Sequence, residues 1–326
     1  MDKSTKRLLI GVGIAAGAAV GVGISQALTH SMIGMAMDRE EPTVMSMART
    51  RLTGSPKVVK VVEAANENSR ILQERETESV EIESFDGTRL VGHIRRAEKT
   101  RRYIIAMHGW RSTWSYDFGA IADFFYDNDC TVLYAEQRGQ GGSDGEYMGF
   151  GMIERFDCLE WIKWLNEKEA AGKPLYLAGV SMGASTVLMT SGFEELPDNV
   201  RGILADCGFT SAKAIWRHVA ERNLRISYGR RQKTVDDLCR KRIDMDSDAY
   251  STLDAMKTNK TPILFVHGSD DHFVPVEMTC ENYGACNAPK RLLIVNNADH
   301  GMSYIVNKEG YEKAILDFWS EFDNDR

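Results

Sequence analysis

Short apolar runs alternate with longer stretches of helical period along most of the chain. Residues 103–107, 130–135, 175–180, 200–205, 262–266 and 291–295 are mostly apolar and are bounded by glycine-bearing or polar turns. Runs of that length without polar alternation are what a strand buried on both faces requires. Between them, residues 116–126 read as a helix, and Cys158, Trp161, Ile162 and Leu165 share one face of a helix within 155–169. Residues 184–189 also read as helix. Near the C-terminus Tyr311, Ala314, Ile315, Phe318, Trp319 and Phe322 form one apolar stripe. Ahead of these units, residues 78–83 and 88–94 alternate around Asp86-Gly87, a hairpin signal. A hairpin followed by repeated strand–helix units predicts a mainly parallel sheet with helices on both faces. Residues 210–260 interrupt the alternation with charged helical sequence, so they read as an insertion at one end of the sheet.

The N-terminal part has a different pattern. Lys3, Lys6 and Arg7 precede residues 8–37, which contain no Asp, Glu, Lys or Arg. This predicts a short cytoplasmic tail over 1–7 and a membrane anchor helix over 8–30, with its most apolar part at 8–25. The globular part would then lie outside the cytoplasm. A secretory signal peptide opens in the same way, and secretion after cleavage is the alternative. No A-x-A site followed by a polar start stands out, which favours an uncleaved anchor. Gly13, Gly17 and Gly21 repeat G-x-x-x-G, the spacing of a helix-dimer face. Residues 31–77 are expected to form a stalk or a cover, with a helix near 58–75, and residues 78–326 to form the domain.

Composition narrows the chemistry. A net charge of −7 over 326 residues argues against a nucleic-acid partner. The six cysteines show no C-x-x-C spacing, so no zinc or iron–sulfur site is expected, and no cofactor or metal is implied. Cys280 and Cys286 are close enough in sequence to pair. Within the insertion, residues 213–242 hold ten Lys and Arg against three acids, which suggests either a solvated basic face or one turned toward an anionic surface.

The chemistry centres on Gly179-Val180-Ser181-Met182-Gly183, a G-x-S-x-G placed between a buried strand and a helix. On such a turn a serine hydroxyl projects from the sheet. Glycines on either side let strand and helix approach closely. The Met182 amide lies at the helix N-terminus, where an unpaired N–H can receive a developing oxyanion. A nucleophilic serine needs a base and an orienting carboxylate. After the next strands come His267-Gly-Ser-Asp-Asp-His-Phe-Val-Pro275 and Asn296-Asn-Ala-Asp-His300, both at strand C-terminal ends. Asp270, Asp271 and Asp206 are the acid candidates.

These residues, with His108-Gly109, Arg138-Gly-Gln-Gly141 and Ser143, Ala205-Asp-Cys207, and His300-Gly-Met-Ser-Tyr304, resemble the α/β-hydrolase superfamily over essentially residues 78–324. Within it the chain resembles bacterial, N-terminally anchored hydrolases of the Bacillus YqkD type. The resemblance implies an α/β-hydrolase fold with an antiparallel N-terminal hairpin and a helical lid at about 210–260. It also implies a triad of Ser181, Asp271 and His300, the acid being the one that matches H-G-x-x-D-x-x-V-P. The amide after His108-Gly109, that of Trp110, would join Met182 in an oxyanion hole. His108 and His267 would shape their loops. Glu136 departs from the Asp common in relatives before x-Arg, which bears on local packing. The expected activity is hydrolysis of a small-molecule carboxylic ester through an acyl-enzyme. A peptidase or amidase is the second reading and a membrane-tethered binding module the third.

Overall fold

The computed structural model describes residues 26–40 and 56–323, with the backbone alone for 56–60. The described strands form one eight-stranded sheet in the order β1-β2-β4-β3-β5-β6-β7-β8. β1 (Glu78–Glu83) and β2 (Arg89–Arg95) are the expected hairpin, and β2 runs antiparallel to β4 (Cys130–Ala135). From β4 onward the pairing is parallel through β3 (Arg102–Met107), β5 (Leu175–Val180), β6 (Val200–Asp206), β7 (Ile263–Gly268) and β8 (Lys290–Val295). This is the α/β-hydrolase fold.

Strand alternation separates the two cores. Ile105, Leu133, Leu177, Ile203 and Phe265 point to one face, beneath Trp161 and Ile162 and the helix after the Ser181 turn. Ile104, Val132, Tyr176, Leu204 and Leu264 point to the other, against Phe125, Ile315, Phe318 and Trp319. With both faces covered, the central strands lose the polar alternation that a half-exposed strand would show.

The helix expected over 116–126 is two short ones, Trp114–Phe118 and Ala122–Asp127. Gly119 follows the first of them. At Gly119 the helix Pro56–Glu74 crosses so closely that a Cβ would lie 2.6 Å from the Asn68 carbonyl. That helix buries Ala65 and Leu72, and its Ser69 hydroxyl meets the Ser115 hydroxyl at 2.9 Å. It covers the domain rather than extending from it.

The N-terminal part is described from residue 26 onward. Residues 26–30, assigned to the anchor, belong to a helix over 26–37 that lies on the domain and buries Thr29, Ile33 and Met37. Ile33 and Met37 share a third core with Phe150, Met182, Trp216, Val235 and Leu238, the last three from the insertion. Among the described residues no helix is long and apolar enough to cross a membrane. Residues 1–25, with Gly13, Gly17 and Gly21, and residues 41–55 lie outside the described residues.

The insertion contains Ala212–His218, Gln232–Ile243 and Thr252–Thr258 as α-helices. Part of its basic charge is locally matched, by Lys213–Asp248, Arg217–Glu221, Arg240–Asp237 and Arg242–Asp38 ion pairs. All six cysteines are free, Cys280 and Cys286 included.

Candidate active site

β5 ends at Val180, and Ser181 then takes φ 55° and ψ −116° before the helix Met182–Thr190 begins. A non-glycine residue held there costs on the order of 1–3 kcal/mol, a strain usually found where function requires it. The turn is fixed by the Ser181 amide, which donates to the Asp206 carbonyl at 2.9 Å. Its flanking glycines have no substitute. A Cβ on Gly183 would lie 1.8 Å from the Met107 carbonyl oxygen, and one on Gly179 would lie 2.3 Å from that of Gly183.

The loops after β7 and β8 bring the partners to this serine. His300 Nε2 lies 2.9 Å from Ser181 Oγ, and His300 Nδ1 lies 2.6 Å from Asp271 Oδ2. Asp271 Oδ1 accepts from the Phe273 and Val274 amides at 2.9 and 2.8 Å. Burial acts to raise the Asp271 carboxyl, but hydrogen bonds from His267 and His300 outweigh it and hold it below the ordinary carboxylate range. Asp271 is therefore an anion facing the imidazole. His267 is more than a loop-shaping residue: its Nε2 sits 3.1 Å from Asp271 Oδ2, and its Nδ1 lies 2.7 Å from Thr279 Oγ1.

The other two acids face elsewhere. Asp270 is exposed and takes a 2.8 Å hydrogen bond from the Ser269 hydroxyl. Asp206 is buried and accepts from Ser303 Oγ at 3.0 Å, which ties the His300 loop to the end of β6. Cys207, with φ 49°, packs so that its Sγ and the donor atoms of Asp271 and His300 lie within 4.8 Å of one another. Burial pushes this thiol well above its ordinary value, so it is a neutral filler beneath the histidine.

The His108–Trp110 loop leaves β3 beside the serine, so close that a Cβ placed on Gly109 would lie 3.3 Å from that of Ser181. Among the described residues neither the Trp110 nor the Met182 amide donates to a backbone carbonyl outside its own element. Asp117 steadies the loop, accepting from the Gly109 amide and the Ser112 hydroxyl, both at 2.6 Å. Burial pushes the Asp117 carboxyl up, against those two hydrogen bonds that favour its charged form. Nothing in the sequence around Asp117 forms a motif. His108 is buried between loops: its Nε2 accepts from the Gln137 amide at 3.1 Å, and burial pushes its imidazole down.

The loop after β4 has defined contacts as well. Arg138 pairs with Asp157 at 2.5 Å and Asp86 at 2.8 Å, and Ser143 Oγ donates to the Glu136 carbonyl at 2.6 Å. Glu136, the departure from the usual Asp, uses its extra length to reach His93 Nε2 at 2.7 Å and the Gly142 amide. A cavity of about 620 Å³ opens at Ser181 and His300 and runs past Asp117 and Tyr304 to Ile121 and Phe125.

A model of the prolyl oligopeptidase family matches residues 114–325, about two thirds of the chain. The chain belongs to the prolyl oligopeptidase family. Among relatives, the YqkD protein of Bacillus subtilis is 28% identical over 194 residues, covering 60% of this chain and 63% of that protein. The chain thus spans under two thirds of YqkD. The YfhR protein of Escherichia coli K12 is 22% identical over 249 residues, covering 74% of this chain and 80% of its own length. In fold, the chain is similar to the Pyrococcus furiosus esterase Pf2001, with a TM-score of 0.60 at 21% identity over 76% of this chain and 94% of that one. It is also similar to Est1E from Butyrivibrio proteoclasticus with ferulic acid bound, with a TM-score of 0.55 at 16% identity over 74% and 98%.

Proposed function

We propose that this family member hydrolyses a carboxylic ester through an acyl-enzyme. The observation that carries the reading is the unbroken chain of short contacts Asp271–His300–Ser181, 2.6 and 2.9 Å, ending on a serine in a strained turn. Ser181 Oγ attacks the carbonyl carbon while His300 Nε2 takes its proton. Asp271 keeps Nδ1 protonated and stabilises the imidazolium. The amides of Trp110 and Met182 receive the oxyanion, where losing one donor typically costs about 2.7–4 kcal/mol. The tetrahedral intermediate collapses, the ester C–O bond breaks, and His300 returns the proton to the leaving alcohol. A water molecule, deprotonated by the same imidazole, then releases the acid and regenerates Ser181. The apolar end of the cavity, at Ile121 and Phe125, suits an acyl group.

The fold likeness to esterases supports the ester reading, and the family description favours a second, hydrolysis of a peptide or aminoacyl amide. A panel of neutral esters and matched aminoacyl amides decides between them. Esters should be turned over with the higher kcat/KM, and a clear preference for the amides would replace the first reading with the second. For location, the run over 8–25 supports tethering at a membrane with the domain outside the cytoplasm. Protease added to spheroplasts should cleave the domain, and protection would contradict that placement.

A further inference from the structure

The loop that offers the Trp110 amide is gripped from outside by a segment that precedes the domain. The helix over 26–37 ends with carbonyls that have no partner within the helix, as every helix does. Arg111 supplies partners. Its Nη2 donates to the carbonyls of Asp38 at 2.6 Å and Met35 at 3.0 Å, and its Nη1 donates to that of Arg39 at 3.3 Å. Next to it, the Trp110 indole Nε1 donates to the Ala36 carbonyl at 2.8 Å. Arg111 itself sits at φ 50°, and its amide donates to Gln140 Oε1 at 2.5 Å. An arginine in the left-handed region is disfavoured locally, so its surroundings must hold it there.

The segment is anchored independently of this loop. The Met148 amide donates to the Met37 carbonyl at 2.7 Å, and the Arg39 guanidinium donates to the Ser143 and Gly141 carbonyls at 2.6 and 2.8 Å. Asp38 pairs with Arg242 of the insertion at 2.6 Å. Residues 35–40 thus join three parts of the rim, and Arg111 connects that junction to the neighbouring Trp110, the residue assigned an oxyanion amide under the proposed function.

We propose that Arg111 is a positioning residue. By capping the carbonyls of Met35, Asp38 and Arg39 it couples the seating of the N-terminal segment to the aim of the Trp110 amide. The oxyanion hole is then complete only with residues 26–40 docked. This rests on the serine-hydrolase reading above and adds to it a dependence on a segment outside the strand–helix domain.

The test uses the full chain. Arg111→Gly removes the guanidinium while favouring the φ 50° backbone, Arg111→Ala removes it without that benefit, and Arg111→Lys keeps a donor. Each is compared by kcat and KM on a neutral p-nitrophenyl ester, per active site titrated with a fluorophosphonate. Losing a full oxyanion donor costs about 10²–10³ in kcat, so a misaimed one should cost about 10- to 100-fold. Both Gly and Ala variants should show that loss with KM changed by less than about threefold, and Lys should recover part of it. Affinity for a trifluoromethyl ketone should fall in step with kcat/KM. Ile33→Asp with Met37→Asp, which unseats the segment, should give a similar loss, and adding Arg111→Gly should deepen it little. Wild-type kcat per site in Arg111→Gly would overturn the proposal, as would losses that simply multiply. Ser181→Ala is the control that separates failures: if it stays active, the serine reading itself is wrong, whereas an inactive Ser181→Ala beside a fully active Arg111→Gly removes only the coupling.

Discussion

The two sides of the serine are built from different materials. On one side, His300 and Asp271 come from loops at the ends of consecutive parallel strands, and they are positioned by groups of the sheet and its loops, such as His267 and the Val274 amide for Asp271 and Asp206 for the His300 loop. On the other, the Trp110 loop is held by Asp117 from within and by carbonyls of residues 35–39, more than 70 positions earlier, from without. The first side is a property of the sheet. The second depends on an appended segment, and a change there can alter catalysis without touching the sheet.

Substitutions at the elbow and at Asp271 should expose the first side most severely. Gly183→Ala would drive a Cβ to 1.8 Å from the Met107 carbonyl, so turnover should vanish and soluble yield should drop. Thermal melting and activity of whatever protein is recovered check this, and a stable, active variant would mean the elbow has room it does not show. Next in size, Asp271→Asn should lower kcat by about 10⁴-fold, the scale of a triad carboxylate becoming an amide. Asp270→Asn, one residue away but exposed, should stay within about twofold. A reversal of those two values would transfer the orienting role to the neighbour.

That adjacency marks how far the sequence carries. The elbow, the buried strands and the loops carrying His300 and Asp271 are legible because each is a local pattern: a buried strand, a turn and a helix, or a histidine and acids just past a strand end. Asp117, His267 as a partner of Asp271, and Arg111 are not, because their roles come from contacts made across the fold. The packing of Ile33 and Met37 on the domain is illegible for a related reason. An uncharged run has the same appearance whether its apolar face meets lipid or, as at Ile33 and Met37, the side of a domain. The need for a glycine at 119 comes from a neighbour, Asn68, that no local window contains.

The smallest expected effect concerns the thiols. Of the six, Cys280 alone is exposed, and Cys207 is buried with its thiol kept neutral. Iodoacetamide should alkylate Cys280 in the native chain, leave Cys207 unmodified until denaturant is added, and leave ester turnover unchanged. Native alkylation of Cys207 with loss of activity would show that the floor beneath His300 opens in solution.

The central claim is that Ser181 is the nucleophile of a hydrolase, and peptide mapping after fluorophosphonate treatment tests it most directly. The full-length chain should carry one phosphonyl group, on the peptide containing Ser181, and lose ester hydrolysis in proportion to labelling. Ser181→Ala should take up no label and hydrolyse no ester while melting like the parent. Label on another residue, or turnover near the parent's in Ser181→Ala, would contradict the account.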